Sequence, residues 1–171
     1  ALLYNYDCKT MIQQTMQNMA DAQHPNGAMP ETAPEYTVFT GDWAKPFLES
    51  PEWGGALIAL PFLYQQYYGD DSLIRQYYKP MKRYVDYLAS QDSCYILRMG
   101  LGDWYDYGPW RAGFARNTPM PLVSTAHYYW WNHLMGEARA DSIREAFNRE
   151  FYNPQTHRYA SGSQCAQAIA L

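Results

Sequence analysis

Apolar residues along this chain recur at helical spacings. Ile12, Met16 and Met19 fall at i, i+4 and i+7, with Gln, Asn and Lys filling the other face, which predicts a helix over residues 2–23. His24-Pro25-Asn26-Gly27 stops it, because proline cannot continue a helix and Asn-Gly is a turn pair. Residues 28–50 contain Pro30, Pro34 and Pro46, show no period and read as a long loop, a kind of segment that often carries function. A second helix starts at Pro51 with Ser50 as its N-cap, lined on one side by Leu57, Leu60, Tyr64 and Tyr67 and kinked at Pro61. Gly69-Asp70-Asp71 ends it and opens a third, in which Leu73, Tyr77, Met81, Tyr84 and Leu88 recur every three or four residues. So short a connection predicts antiparallel neighbours.

Residues 92–119 form a second long loop, rich in glycine and aromatics. A fourth helix follows over about 120–137, with Val123, Ala126, Trp130 and Leu134 on one face. A weaker fifth carries Ile143, Phe147 and Phe151; residues 152–159 read as a turn, and a last helix begins near Ser163. About six helices with almost no alternating pattern predict an all-α fold of antiparallel hairpins, in which the long loops gather at one end and shape a site.

The composition narrows this. The chain is 47% hydrophobic, enough for a sizeable core, and its net charge of −4 comes without any block of like charge. A nucleic-acid or anionic-membrane partner is therefore not expected, and no apolar run approaches the ~20 residues that cross a bilayer. Cys8, Cys94 and Cys165 are far apart and odd in number, which argues for buried free thiols rather than a disulfide framework or metal site. Ala1 to Tyr4 already read as structured chain, and Gln164 to Leu171 read as a helix stopped in mid-course. Both ends are expected to be cuts within a longer protein, with residues 1–171 forming one partial domain.

Four segments carry a family resemblance. They are Asp21-Ala22-Gln23-His24-Pro25-Asn26-Gly27-Ala28-Met29-Pro30-Glu31, Ser50-Pro51-Glu52-Trp53-Gly54-Gly55-Ala56, Tyr68-Gly69-Asp70 with Tyr78 to Leu88, and Gly100-Leu101-Gly102-Asp103-Trp104. Each is short, but their order across nearly the whole chain resembles the catalytic domain of bacterial α-L-rhamnosidases. The resemblance implies part of an (α/α)6 toroid, a six-hairpin glycosidase fold, acting on terminal α-L-rhamnosides. It also implies an extracytoplasmic location. Two departures matter. The family's general-acid motif, a "DCP-x-R-x-E-R" stretch, is expected before Ala1, and its general base, in a "W-E" segment, after Leu171. No catalytic residue is therefore assigned within the chain. Gly55 stands where the family usually has Asp, and the stretch between Met135 and Ile143 is shorter than the family's helix.

An inverting glycosidase needs a proton donor and a base roughly 6.5–9.5 Å apart. The loops offer Glu31, Glu35, Asp42, Glu49, Glu52, Asp103 and Asp106, which composition alone leaves open and the family pattern makes supporting residues. Trp53, at a loop-to-helix junction, is read as a ring that stacks on a sugar face, against a plain wedge into the core. Asp103 is read as an acceptor for sugar hydroxyls beside Trp104, against a simple turn-former. With Glu31 and Glu35 these make the expected carbohydrate-binding set, converging on one pocket. Tyr105, Tyr107, Trp110 and Phe114 make either a subsite wall or a loop tacked down by its own rings, and Arg111 and Arg116 read as solvated rather than as binders of a uronic acid. His127 reads as a packed helix residue, since His133 at i+6 lies on another face. No cofactor is implied. The competing readings are another six-hairpin glycosidase and a non-catalytic carbohydrate-binding module.

Overall fold

The computed structural model describes residues 2–45, 47–106, 108, 109, 113 and 115–170. Its α-helices are α1 (Leu2–Asn5), α2 (Lys9–Ala22), α3 (Pro51–Gly54), α4 (Ala56–Tyr68), α5 (Ser72–Gln91), α6 (Met120–Leu134), α7 (Arg139–Phe151) and α8 (Gln164–Ala168). A two-residue ladder pairs Tyr152–Asn153 with Arg158–Tyr159 across the turn expected there. The chain is thus mostly helical, with α4–α5 and α6–α7 forming hairpins and α2 packed on both α4 and α5.

Two helices expected to be continuous are broken. The first is interrupted at residues 6–8. The Asp7 side chain accepts a hydrogen bond from the Lys9 amide at 3.1 Å, and the Cys8 amide is taken by the Tyr68 hydroxyl at 2.9 Å. A short acidic side chain competes with the helical ladder in this way. The second break falls at Gly55. A Cβ there would lie 2.1 Å from Cε2 of Trp131, so only glycine lets α6 approach this closely. The Trp131 indole N–H closes the contact by donating to the Pro51 carbonyl at 3.1 Å. Pro61 lies inside α4, and Ser50 caps α3 by accepting from the Trp53 amide.

Most of the predicted apolar positions form the core, but Trp130, expected on the buried face of the fourth helix, is 49% exposed because Tyr128 and Trp131 take the buried face of α6 instead. Ile12, Met16, Leu57, Tyr64, Leu73, Tyr77, Met81, Tyr84 and Leu88 are all buried in one cluster, and Leu122, Val123, Phe147 and Ala166 centre a second. A half-buried polar knot ties the start of the second loop to α6 and α7. Asp92 accepts from the Tyr128 hydroxyl at 2.8 Å and from Arg139 at 3.0 Å, and the Arg139 guanidinium lies 4.9 Å from the Tyr95 ring centre. Burial and the adjacent Asp92 push the Tyr128 phenol well above its usual pKa. The expectation of buried thiols holds for Cys8 only. Cys94 is exposed, because it sits in a turn with left-handed backbone, and Cys165 is half-buried.

Candidate functional site

The two long loops meet at one end of the helices, and Glu52 fastens them. It stands in the first turn of α3, where an acidic side chain suits the helix dipole. One carboxylate oxygen accepts from the Gly102 amide and from the Ser124 hydroxyl, each at 2.9 Å, and the other from the Leu101 amide at 3.3 Å. Gly100, at φ +126°, is needed here: a Cβ would lie 2.6 Å from the Glu52 carboxylate.

Beside this clamp lies a cavity of about 260 Å³ lined by His24, Pro30, Glu31, Glu35, Thr37, Val38, Phe39, Leu48 and Glu49. The Glu31 carboxylate accepts from the Ser50 amide at 2.8 Å through one oxygen, while the other is buried without a protein partner among the described residues. Burial outweighs the hydrogen bonds from the Ser50 and Glu49 backbone, and the charges of Glu52 and Glu49 add repulsion, so the Glu31 carboxyl is pushed up to about 7. Glu49 is also raised by burial, offset in part by His24. It accepts a short hydrogen bond from the Tyr87 hydroxyl. The His24 ring bridges Glu35 at 3.0 Å and Glu49 at 4.0 Å. The fully buried Tyr84 phenol is raised by burial and then by Glu52, Glu31 and Glu49. The cavity thus offers carboxylate acceptors beside a carboxyl that holds its proton near neutral pH.

A run of aromatic rings leads outward from Phe39 in the wall of this cavity. Trp53 is 41% exposed and Trp104 37%. Phe47 joins them, with ring centres 6.2 Å from Trp53 and 5.0 Å from Trp104. Phe47 in turn touches Phe39 and Trp43. Asp103 does not share the cavity of Glu31 and Glu35. It lines a second, more polar one of about 430 Å³ with Asp106, Asn117, Ser161 and Ser163, between the second loop and the start of α8. There the Thr118 hydroxyl donates to Asp103 at 3.3 Å and lies 2.6 Å from the Ser163 hydroxyl, which caps α8. Asp106 accepts from the Arg116 and Asn117 amides at 2.7 and 2.5 Å. Burial, followed by the nearby Asp103, pushes the Cys165 thiol up.

The five residues singled out from sequence are therefore divided, and the expected convergence on one pocket is not seen. Glu31 and Glu35 share one cavity, Asp103 lines another, and Trp53 and Trp104 line neither, reaching the first only through Phe47 and Phe39. His127 packs as expected, with Nδ1 2.9 Å from the Val123 carbonyl. Tyr107, Trp110, Arg111 and Phe114 lie outside the described residues. Sequence reading passed over Phe39, Trp43 and Phe47. Their signal was the spacing of four residues, which a 3-10 turn at Asp42–Ala44 converts into a shared face. Among the described residues no helix is long and apolar enough to cross a membrane, and no group of three or more His, Cys, Asp or Glu is placed to hold a metal ion.

Comparison with known proteins bears on this site. The family model described as the bacterial alpha-L-rhamnosidase 6 hairpin glycosidase domain matches residues 1–171. An alpha-L-rhamnosidase from Formosa agariphila is 29% identical over 198 aligned positions, which cover 98% of this chain and 20% of that protein. That alignment is longer than the chain itself, so the relative carries segments that this chain lacks. The solved alpha-L-rhamnosidase from Dictyoglumus thermophilum superposes with a TM-score of 0.73 at 25% identity, over 90% of this chain and 18% of that one. The Streptomyces avermitilis alpha-L-rhamnosidase, solved with L-rhamnose, gives a TM-score of 0.76 at 20% identity over 95% and 16% of the two chains, a likeness of fold.

Proposed function

The chain belongs to the bacterial α-L-rhamnosidase six-hairpin glycosidase family, and we propose that it forms part of the sugar-binding end of an inverting glycoside hydrolase that acts on terminal α-L-rhamnosides. It spans about a fifth of the length of the relative it matches, so the whole reaction belongs to a longer protein. The supporting observation is the meeting of the two loops, which sets Trp53 and Trp104 against Phe47, whose ring stacks on Phe39 in the wall of the Glu31–Glu35 cavity. Rings offer rigid apolar surface to the C–H face of a pyranose, and nearby carboxyl groups hold its hydroxyls. Glu31 supports this doubly. Held at about 7, it carries its proton part of the time at neutral pH and donates where Glu35 and Glu49 accept.

The acid and base of the reaction are proposed to come from other segments of the longer protein. The resemblance assigns the chain's own acids supporting roles, and several are already committed as structural acceptors. Glu52 holds the Leu101 and Gly102 amides, Asp106 holds those of Arg116 and Asn117, and Asp92 faces Arg139. The test uses the parent protein with an aryl α-L-rhamnoside followed by proton NMR. The expected first product is β-L-rhamnose, with Trp104→Ala raising KM severalfold. Absence of turnover on any α-L-rhamnoside removes the reading. A Glu31→Gln parent that loses a factor of ~10² or more in kcat would make Glu31 the proton donor instead.

A further inference from the structure

Phe39, Trp43 and Phe47 stand at four-residue intervals in the first long loop, and their rings touch in a closed triangle. Phe39 and Trp43 meet edge to face at 5.9 Å, Trp43 and Phe47 at 5.8 Å, and Phe39 and Phe47 stack at 5.5 Å. The turn beneath them is fixed. Ala44 is fully buried as its plug, the Ala44 amide donates to the Gly41 carbonyl at 3.0 Å, and the Phe47 amide donates to the Ala44 carbonyl at 2.9 Å. Yet Trp43 keeps 59% of its surface in solvent, and the Asp42–Lys45 ion pair beside it is still more exposed. Packing within the described residues therefore does not account for this indole.

Its surroundings point to a ligand. Phe39 lines the same cavity as Glu31 and Glu35, and Phe47 touches both Trp53 and Trp104. The triangle is thus a continuation of the proposed sugar site, one ring farther out. Rings already braced against one another lose little freedom when a partner arrives, which makes a preorganised surface. No ionised side chain belongs to the triangle itself, so what it recognises is a flat or apolar-faced ring.

We propose that the Phe39–Trp43–Phe47 triangle is a recognition platform for the second ring of the substrate, the group to which the terminal sugar is bonded, with Trp43 as the specificity-determining residue. An aryl group and the apolar face of a second pyranose share this chemistry. The proposal rests on the rhamnoside reading above and adds the region beyond the scissile bond.

The experiment uses the parent protein and three substrates: methyl α-L-rhamnoside, an aryl α-L-rhamnoside, and a disaccharide in which α-L-rhamnose is linked to a pyranose. The readout is kcat/KM on each two-ring substrate divided by that on the methyl glycoside. Trp43→Ala is expected to lower this ratio roughly five- to tenfold, mainly through KM, as loss of one ring contact implies. Trp43→Tyr keeps a flat face and restores most of the ratio, whereas Trp43→Leu does not. A loss confined to the aryl substrate identifies an aromatic second ring, and a loss that includes the disaccharide identifies a saccharide. An unchanged ratio overturns the platform. So does an equal loss on all three substrates with a lowered melting temperature, which would make Trp43 a packing residue. A wild-type parent inactive on all three overturns the rhamnoside reading and the platform with it.

Discussion

Glu31 holds its proton because of where the fold puts it, and this couples its titration to stability. A carboxyl raised from 4.5 to about 7 on folding stays protonated in the folded chain over a range where the unfolded chain has released its proton. Stability is therefore greatest below 4.5 and falls as pH rises to about 7, and the raised Glu49 acts in the same direction. Glu31 is partly open to solvent, so screening limits its share to about 1–2 kcal/mol. Glu31→Gln should remove most of this fall. The check is the melting temperature of the chain and its variant near pH 5 and pH 8; an equal drop in both contradicts the assignment. Gly55 gives a second test at this scale. Restoring the Asp that the family pattern has there drives a Cβ into the Trp131 indole, which overpacking data put at about 1–3 kcal/mol. Gly55→Asp should lower the melting temperature, and the double variant with Trp131→Ala should cost less than the sum of the two single changes.

At the scale of elements, what was legible in the sequence followed from periodicity. The stripe from Leu73 to Leu88 repeats often enough to specify both a helix and its buried face, and every named position on it is buried. The breaks at residues 6–8 and at Gly55 were not legible. One depends on a hydroxyl from Tyr68, sixty residues away in sequence, and the other on Trp131, whose approach no local pattern announces. The site divides the same way. Trp53 stands at a loop-to-helix junction, and Trp104 closes the Gly100–Trp104 stretch that carries the family resemblance, so both could be picked out from the sequence. Their link through Phe47, and the turning of Asp103 toward Thr118 rather than Glu31, are tertiary facts. Glu52 is the element that joins the loops, and it is testable. In Glu52→Gln one oxygen becomes an amide nitrogen, which cannot accept from Leu101, Gly102 or Ser124. An unmet donor at this partly buried clamp costs about 1–3 kcal/mol. The expected result is faster amide hydrogen exchange at residues 98–104, with the buried α5 amides unaffected. Uniform acceleration through α5 would show that Glu52 supports the whole fold rather than the loop.

The whole molecule sets a division of labour. Departure of a sugar's leaving group at neutral pH needs a proton donor, and inversion needs a base on the opposite face of the ring. Glu52, Asp92 and Asp106 are each held by amides or by Arg139 in geometries that serve the fold, and Glu35 is tied to His24. Only Glu31 combines a raised pKa with a buried oxygen that lacks a protein partner among the described residues, and a single such carboxyl does not make the pair that inversion requires. The expectation is that the 171-residue chain binds sugar weakly and does not turn it over, while the longer protein does. Loss of one member of an acid–base pair costs a factor of ~10² or more, and the family resemblance leaves both outside this chain. The comparison is an aryl α-L-rhamnoside incubated with equal concentrations of the purified chain and of the parent, after circular dichroism has established that the chain is helical on its own. Turnover by the parent alone supports the division. Comparable turnover by the chain, lost in Glu31→Gln or Glu35→Gln, would relocate the catalytic pair into the cavity that these two residues line.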